Sequence, residues 1–339
     1  MNTINQEAIE IFELLSKKEN AFFNRKKILL LGSDGFLGRY FVEYFHQLLK
    51  KNIKLSLDCI DNNISSKQYN YKKNKNIKFY KSDIMRYETK KKYNLIIFLA
   101  GIASPTIYKK YPIESLEVSY LGAKKFLEKS KKDKSIFIFF SSSEIYGNPN
   151  IKNIPTKETY YGNVNSFGPR SCYDEGKRVG ETLCYIYKTY LNTNIKIIRP
   201  FNVFGSGMSK NDDRVIPRFV RSLKNNKPLT IYNHGKQTRS FCYITDAMIG
   251  FIKVIVNGKL GQIYNVGNDK EEVSMNKLAA TIKAVSAKKI KIKNINYPNN
   301  YPSNEPMRRC PDLKKIKTDT NFKPTNNLKN SLKKFIDNY

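Results

Sequence analysis

The stretch Lys26-Lys-Ile-Leu-Leu-Leu-Gly-Ser-Asp-Gly-Phe-Leu-Gly38 is a short apolar run that leads directly into a turn with three glycines. Residues 38–50 follow with apolar side chains at helical spacing. Glycine permits a tight turn and close backbone approach, and the N-terminus of the next helix offers free N–H groups. A GxxGxxG spacing between a strand and a helix therefore predicts a cradle for a dinucleotide pyrophosphate. A purely structural glycine turn is the alternative.

A carboxylate stands at the end of the second apolar run. Asp61 follows Gly38 by 23 residues. A carboxylate at this position accepts hydrogen bonds from both hydroxyls of the adenosine ribose, and it repels a 2′-phosphate. The spacing therefore predicts NAD as the cofactor rather than NADP.

Further short apolar runs alternate with helical patterns along the N-terminal part of the chain. Runs of this kind suit strands that are buried on both faces of a parallel sheet. Their alternation with helices predicts an α/β fold, a Rossmann-type doubly wound parallel sheet with a smaller C-terminal substrate-binding lobe. The predicted strands are residues 26–31, 55–60, 77–80, 95–100, 136–141 and 194–200, and the long helices are residues 114–132 and 173–191.

The expected domain organisation follows from this pattern. Residues 5–17 carry an apolar stripe at helical spacing, so residues 1–25 are predicted to form an accessory helix packed on the main domain. Residues 26–200 form the predicted NAD-binding domain. Residues 201–339 form mainly the substrate-binding lobe, with segments at about 238–267 returning to the NAD-binding domain.

Composition limits the remaining classes of function. Lys and Arg number 61 against 29 Asp and Glu, which gives a formal net charge of +32. Lysine is spread along the whole chain, so a solvated surface is favoured over a dedicated nucleic-acid or anionic-membrane surface. The longest apolar run has nine residues, whereas a membrane span needs about 20. We therefore expect no membrane insertion and no specific nucleic-acid partner.

The cysteines and histidines indicate the compartment and argue against a metal site. The five cysteines are scattered without CxxC spacing, which favours reduced thiols in a cytoplasmic protein, and the N-terminus lacks the pattern of a secretory signal. With only two histidines, a His/Cys metal cluster is not expected.

A second chemical signal is the pair Tyr173 and Lys177. Residues four apart share one face of a helix, and a nearby ammonium lowers the pKa of a phenol. The tyrosine then deprotonates a substrate hydroxyl while a hydride leaves the same carbon for an oxidised nicotinamide. The stretch Ser141-Ser-Ser-Glu-Ile-Tyr-Gly147 lies about 30 residues upstream at the end of an apolar strand, where a hydroxyl can bond the reacting oxygen.

From about Lys26 to the C-terminus, the chain resembles the extended short-chain dehydrogenase/reductase superfamily, which contains nucleotide-sugar epimerases and dehydratases. Its most specific block is similar to UDP-glucuronate decarboxylases: Tyr161-Gly-Asn-Val-Asn-Ser-Phe-Gly-Pro-Arg-Ser-Cys-Tyr-Asp-Glu-Gly-Lys-Arg178. Other matching segments are Ala103-Ser-Pro105 with Tyr108, Arg199-Pro-Phe-Asn202, Arg214-Val215, Gly235-Lys-Gln-Thr-Arg239-Ser-Phe-Cys-Tyr243 and Arg308-Arg-Cys-Pro-Asp312.

The resemblance implies roles by position for three sets of residues. The implied cofactor-binding set is Gly32, Gly35, Phe36, Leu37, Gly38, Asp61, Asn62, Asp83, Ile84, Leu99, Ala100, Gly101, Tyr173 and Lys177. The implied catalytic set is Ser142, Ser143, Glu144, Tyr173, Lys177 and Arg309. The implied substrate-binding set is Pro105, Tyr108, Glu144, Arg170, Asn202, Arg214, Val215, Tyr232, Gln237, Arg239 and Arg309.

The chain departs from the family pattern at several positions, which are Ser33-Asp34 in the glycine turn, Gly101, Ser119 and Gly205-Ser-Gly207. An acid in the phosphate turn is compatible with a pyrophosphate only if its side chain turns outward. These departures leave open a sister clade that acts on another nucleotide-linked sugar.

The resemblance also separates reaction classes. Family 4,6-dehydratases carry Asp-Glu where Ser143-Glu144 stand, and simple 4-epimerases usually lack the Glu. Glu144 and Arg309 together therefore imply decarboxylation of UDP-glucuronate to UDP-xylose through a 4-keto intermediate. A C4 epimerase is the runner-up, ahead of a 4,6-dehydratase, and an NAD-binding regulator or a basic nucleic-acid-binding protein are the non-enzymatic alternatives.

Quaternary structure follows from the same resemblance. Relatives pair through a four-helix contact made by the helices that begin here near Glu114 and Tyr173. Val179, Leu183 and Ile186 supply apolar surface on the second helix. The implied assembly is a homodimer, although the net charge adds repulsion at low salt.

Overall fold

The computed structural model describes residues 3–297 and 306–339. Its helices are α1 Thr3–Leu14, α2 Lys17–Ala21, α3 Phe36–Lys50, α4 Pro105–Lys110, α5 Pro112–Glu117, α6 Ala123–Asp133, α7 Ser171–Leu191, α8 Val215–Lys224, α9 Ile244–Asn257, α10 Met275–Ser286, α11 Lys314–Thr320 and α12 Leu328–Asp337. Its strands are β1 Lys26–Leu31, β2 Leu55–Asp61, β3 Ile77–Lys81, β4 Leu95–Phe98, β5 Ile136–Phe140, β6 Asn194–Pro200, β7 Val203–Phe204, β8 Leu229–Tyr232, β9 Thr238–Ser240, β10 Cys242–Tyr243, β11 Ile263–Val266, β12 Glu272–Ser274, β13 Ile292–Ile295 and β14 Arg308–Arg309.

The main sheet has seven strands in the order β11-β6-β5-β4-β1-β2-β3, and every neighbouring pair is parallel. Ile28 and Leu30 of β1 pack in one core with Phe41 of α3. Leu29 and Leu31 pack in a second core, on the other face, with Phe126 of α6. Strands buried on both faces are what the continuous apolar runs predicted, so the predicted Rossmann-type fold is confirmed.

One predicted helix is wrong in detail. In place of a continuous helix over 114–132, α5 and α6 are joined by a π-helical turn, Val118–Gly122. This wider turn lies where the chain crosses α7 closely, since a Cβ on Gly176 would meet the Ser119 Cβ at 3.4 Å. Close packing against α7 therefore accompanies the break, and periodicity alone does not reveal it.

The N-terminal helices pack on the main sheet layer. Ile4, Ala8, Ile11 and Leu15 are buried, and α1 contacts α3 and α9. Ser16 caps α2 and exchanges hydrogen bonds with Glu19 in a capping box.

The C-terminal part contributes to both layers. Strand β11 closes one edge of the main sheet and α9 packs against it, whereas β9 lies between β12 and β14 in a separate three-stranded sheet. Strands β8 and β13 form a further pair, as do β7 and β10. The division into an accessory helix, an NAD-binding domain and a lobe stays a prediction.

Three further properties concern the whole described chain. Within residues 3–297 and 306–339, no helix is long and apolar enough to cross a membrane. The five cysteines are free thiols. No group of three or more potential metal ligands occurs among the described residues. The compartment stays a prediction.

Candidate active site

The glycine turn between β1 and α3 is closely approached by backbone. Gly32 has a φ of +88°, and a Cβ on it would lie 2.9 Å from the Ala100 nitrogen. A Cβ on Gly38 would lie 2.2 Å from the Gly32 carbonyl oxygen. Phe36 and Leu37 begin α3 immediately behind the turn. Only glycine fits at positions 32 and 38. The free N–H groups of the α3 N-terminus make the turn suitable for a pyrophosphate.

Asp61 stands beside this turn at the end of β2. Its carboxylate accepts hydrogen bonds from the backbone N–H groups of Asp34 and Asn63, each at 2.8 Å. The Asp34 carboxylate turns toward the segment after β2, where it accepts bonds from Asn63 Nδ2 at 2.8 Å and the Tyr69 N–H at 3.1 Å. The acid in the phosphate turn is therefore held by that segment.

The other predicted cofactor residues lie at neighbouring strand ends. Asn62 donates from Nδ2 to Asp83 at 3.3 Å, and Ile84 beside it is buried. Leu99 and Ala100 follow β4, and Leu99 donates its N–H to Leu31 at 2.9 Å. These ends share the carboxyl edge of the parallel sheet, which is where dinucleotides bind in such folds. The residues present therefore fit NAD.

Gly101 explains one departure from the family pattern. A Cβ at this position would lie 3.0 Å from Lys177 Nζ. Glycine therefore leaves room for the ammonium to approach the strand end, and a larger residue would require the lysine to shift.

Tyr173 and Lys177 share the buried face of α7, as their spacing predicted. Lys177 donates from Nζ to the Phe140 carbonyl at 2.9 Å, and this nitrogen lies 5.9 Å from the centroid of the Tyr173 ring. The Ser142 hydroxyl hydrogen-bonds to the Tyr173 phenol. Tyr108 stacks on the Tyr173 ring with centroids 5.8 Å apart. One phenol is thus held by a hydroxyl, a ring and a nearby ammonium.

The acidity of Tyr173 differs from the sequence-based expectation. Burial raises the pKa of Tyr173 to about 12, the hydrogen bond from Ser142 opposes this, and Glu144 adds to it. Burial also lowers the pKa of Lys177 to about 8. The predicted lowering of the phenol pKa is therefore absent in this state, because desolvation is the largest effect and the Lys177 ammonium donates to the Phe140 carbonyl instead.

Glu144 is the centre of an ion-pair cluster beside Tyr173. Arg309 binds it through two hydrogen bonds, Nη1 to Oε1 at 2.6 Å and Nη2 to Oε2 at 2.8 Å. Arg170 donates from Nη2 to the same carboxylate. Burial alone would raise the pKa of Glu144, but Arg170 and Arg309 hold that pKa well below its usual range. Glu144 is therefore ionised and shared by two arginines.

Sequence reasoning missed Asp174 and Asp212. Asp174 is buried and accepts from Arg170 Nε at 3.3 Å, while its Oδ1 has no hydrogen-bond partner among the described residues. Asp212 binds the Arg214 guanidinium, with Nη2 to Oδ2 at 2.6 Å. The i,i+4 spacing of Arg170 and Asp174 on a helix was the available signal for the first.

The pairing of two short strands brings two distant arginines together. Strand β14 pairs with β9 so that Arg309 stands opposite Arg239. Asn202, with a φ of +43°, donates from Nδ2 to the Ser240 carbonyl at 3.0 Å. Strands β9 and β14 therefore lie beside the ion-pair cluster on Glu144. Arg239 of β9 also lowers the pKa of Glu144.

The remaining predicted residues are placed as follows. Ser143, which is buried, begins a short 3₁₀ helix after β5; Pro105 begins α4; Gly35 precedes α3; and Val215 begins α8 directly after Arg214. The guanidinium of Arg218 covers the Tyr232 ring at 4.1 Å, and Gln237 reaches the Tyr232 carbonyl at 3.5 Å. The substrate-binding roles of Tyr232 and Gln237 stay predictions, as do the roles of the other site residues.

Comparison with known proteins gives consistent matches. Residues 28–267 match the family model described as NAD dependent epimerase/dehydratase family. UDP-glucuronic acid decarboxylase 1 of Danio rerio is 32% identical over 327 residues, which cover 96% of this chain and 74% of that protein. UDP-glucuronic acid decarboxylase 3 of Arabidopsis thaliana is 34% identical over 310 residues, which cover 90% of this chain and 86% of that protein.

Solved structures match the fold along nearly the whole chain. An epimerase from Methanothermobacter thermautotrophicus has a TM-score of 0.80 at 22% identity, covering 97% of this chain and 94% of its own. The UDP-glucuronic acid 4-epimerase of Bacillus cereus, solved with NAD, has a TM-score of 0.75 at 24% identity, covering 92% and 98%. These similarities establish the shared architecture.

Proposed function

Because this chain belongs to the NAD dependent epimerase/dehydratase family, we propose that it is the enzyme that decarboxylates UDP-glucuronate to UDP-xylose. The observation that carries the proposal is the bidentate Arg309–Glu144 pair next to Tyr173. The names of the relatives at 32% and 34% identity support the same reaction.

The family uses NAD, and the glycine turn and Asp61 are the residues that would hold it. The chemistry that NAD would supply there is reversible uptake of a hydride from C4 of the sugar. Arg214, Arg239 and Asn202 bind the diphosphate of the substrate. The two arginines suit this role because a guanidinium binds phosphate oxygens through two parallel hydrogen bonds.

Proton transfer at C4 belongs to Tyr173. Its phenolate takes the proton of the C4 hydroxyl, and the Ser142 hydroxyl bonds the same oxygen. The Lys177 ammonium stabilises the phenolate, because it shares the buried face of α7 with the ring. The product of this oxidation is a ketone at C4, placed β to the C6 carboxylate.

Decarboxylation then needs an electron sink and little restraint on the carboxylate. The C5–C6 bond breaks, CO₂ leaves, and the electron pair passes to the C4 oxygen as an enolate, which Tyr173 and Ser142 stabilise. Arg309 and Arg170 already bind Glu144, so neither of these two arginines clamps the sugar carboxylate. Weak ground-state binding of the carboxylate favours this step, because the negative charge leaves the carboxylate for the C4 oxygen in the transition state. A proton added at C5 gives a 4-keto-pentose. Return of the hydride to C4, with the proton that Tyr173 took from the C4 hydroxyl, then gives the UDP-pentose.

The direct test is incubation with UDP-glucuronate and NAD, followed by mass spectrometry and CO₂ detection. The proposal expects a UDP-pentose and released CO₂. A C4-inverted sugar acid of unchanged mass, without CO₂, would instead identify a C4 epimerase. If UDP-glucuronate is not converted, a panel of other nucleotide sugars in the same assay identifies the substrate.

We predict that Asp61→Ala weakens NAD binding and relaxes discrimination against NADP. Charge-assisted hydrogen bonds to the ribose are worth about 1.5–3 kcal/mol, so the Kd for NAD should rise roughly ten- to a hundredfold. Titration calorimetry with both dinucleotides measures this. Asp58→Ala is the control, because that carboxylate lies on the same strand but binds Lys91 at 2.6 Å and Tyr93 at 2.7 Å. A wild-type preference for NADP would show that the role given to Asp61 is wrong.

We also propose a homodimer formed by α5, α6 and α7. Apolar side chains are exposed on these helices and the π turn, including Leu116, Tyr120, Leu121 and Ile186. Val179 and Leu183 of α7 are half-buried. Ile186→Glu is expected to convert dimer to monomer in sedimentation at physiological salt and micromolar concentration, because it places a charge in the contact. Leu260→Glu, at an exposed position in another region, should remain dimeric; a wild-type monomer would refute the assembly.

A further inference from the structure

Helix α1 carries a buried carboxylate that the proposed chemistry does not use. Glu7 is 1% exposed. It accepts hydrogen bonds from the phenols of Tyr40 on α3 and Tyr243 at the start of α9, the latter at 2.5 Å. Lys334 Nζ of α12 lies 3.5 Å from the same carboxylate. One side chain of α1 therefore joins the helix behind the glycine turn to the C-terminal part of the chain.

The Tyr40 phenol extends this contact to a loop. The same hydroxyl also donates to the backbone carbonyl oxygen of Ser206 at 2.9 Å, so its one proton is shared between Glu7 and this carbonyl. The next residue, Gly207, has a φ of +87°, and a Cβ on it would lie 2.8 Å from Ile4 Cδ1 of α1. Residues Gly205-Ser-Gly207, which differ from the family pattern, are thus where α1 and α3 contact this loop.

The same loop ends at Arg214. Residues 205–214, all of them described, lie outside helices and strands. Asp212 receives the Arg214 N–H at 2.9 Å and its guanidinium at 2.6 Å, and Asp213 receives the Thr106 hydroxyl at 2.8 Å. The position of the loop therefore sets where the Arg214 guanidinium stands.

The loop, and not α3, is the partner that would move if this contact were lost. Phe41, Tyr44 and Phe45 fix α3 in the core, each with no exposed surface. The loop has no ladder of backbone hydrogen bonds. Its middle is held by the Arg221 guanidinium and the Tyr339 hydroxyl, which donate to the Lys210 carbonyl at 2.7 and 2.9 Å, and the Tyr40 phenol holds its start at Ser206. Loss of the Tyr40 contact therefore shifts the loop while the glycine turn stays in place.

We propose that α1 is a positioning element for the substrate: Glu7 and Ile4, through Tyr40, Ser206 and Gly207, hold the 205–214 loop so that Arg214 meets the nucleotide diphosphate. This inference rests on the role given to Arg214 in the proposed function. Tyr40 and Glu7 act through the loop and are positioning residues, without contact to the reacting atoms.

The test separates UDP affinity from NAD affinity in a variant that keeps the ring. Tyr40→Phe removes only the hydroxyl. A hydrogen bond contributes about 0.5–1.5 kcal/mol, so the Kd for UDP should rise roughly three- to tenfold while that for NAD changes less than about twofold. Titration calorimetry on the full chain, well below the unfolding temperature of each variant, measures both constants.

Tyr44→Phe is the matched control. It lies one turn further along α3, is equally buried, and donates its hydroxyl to Asn20 Oδ1 of α2 at 2.8 Å. It should lower the unfolding temperature without weakening UDP. Equal losses of UDP affinity in the two variants would mean general loosening and would overturn the inference.

Substitutions at Glu7 supply a second, independent pair. A glutamine can accept from Tyr243 through Oε1 and donate through Nε2 to the Tyr40 oxygen, which leaves the Tyr40 proton for Ser206. Glu7→Gln should therefore bind UDP as the wild type does, whereas Glu7→Ala should reproduce the Tyr40→Phe effect. If both Glu7→Ala and Tyr40→Phe bind UDP as tightly as the wild type does, the inference is overturned.

Arg214→Ala separates the two levels of the argument. If it leaves UDP binding unchanged, the role of Arg214 in the proposed function is wrong. If it weakens UDP binding while Tyr40→Phe does not, Arg214 keeps its role and the positioning of the loop by α1 is wrong.

Discussion

Tyr173→Phe is expected to lower turnover of UDP-glucuronate by about 10²- to 10⁴-fold, the usual loss when a general acid–base group is removed. The substitution keeps the ring that stacks on Tyr108, so the Kd values for NAD and UDP should stay within about threefold of wild type. Stopped assays of UDP-pentose formation, with calorimetric titration of both ligands, measure the two quantities separately.

Two further variants test whether this loss is specific to the catalytic pair. Lys177→Met should act similarly, because it removes the positive charge that stabilises the Tyr173 phenolate in the proposed mechanism. Tyr187→Phe is the control, since this tyrosine lies on the same helix and donates its hydroxyl to Glu128 at 3.2 Å. Turnover of Tyr173→Phe at the wild-type rate would remove this phenol from the mechanism.

Arg309→Ala is expected to abolish most CO₂ release while some NAD reduction persists. In the proposed mechanism Tyr173 carries the oxidation at C4, whereas Arg309 holds Glu144 near the C6 carboxylate of the sugar. Without Arg309, the buried Glu144 carboxylate loses two hydrogen bonds and keeps its ion pair with Arg170. Parallel measurements of absorbance from reduced NAD and of trapped CO₂ distinguish the two steps.

Arg308→Ala is a closely matched control for this variant. Arg308 is the preceding residue on β14, and its guanidinium binds Glu272 at 2.7 and 2.8 Å. It should release CO₂ at nearly the wild-type rate. If the two variants lose CO₂ release equally, Arg309 is a structural residue of the small sheet. If Arg309→Ala loses reduction of NAD in step with CO₂, the separation of the two roles is wrong.

Several parts of the molecule were predictable because their signals are local. The glycine turn, the strand that precedes it and the carboxylate at the end of β2 are fixed by residue type at short spacing, since a tight turn and a buried parallel strand each admit few residues. The pairing of Tyr173 with Lys177 on one helix face follows from the helical repeat in the same way. The π turn that contains Ser119 was not predicted, because it accompanies the close approach of another helix, which periodicity does not reveal.

The ionisation of the site was decided by tertiary structure alone. Glu144 and Arg309 are 165 residues apart in sequence, and only the pairing of β14 with β9 brings that arginine to the carboxylate and opposite Arg239. The phenol of Tyr173 illustrates the same limit, since the sequence placed an ammonium near it but not the depth of burial that raises its pKa to about 12. Residue types and their spacing establish which groups are present and which share a strand end or helix face. Distances and desolvation set the energy of each charge, and both depend on segments that meet only after folding.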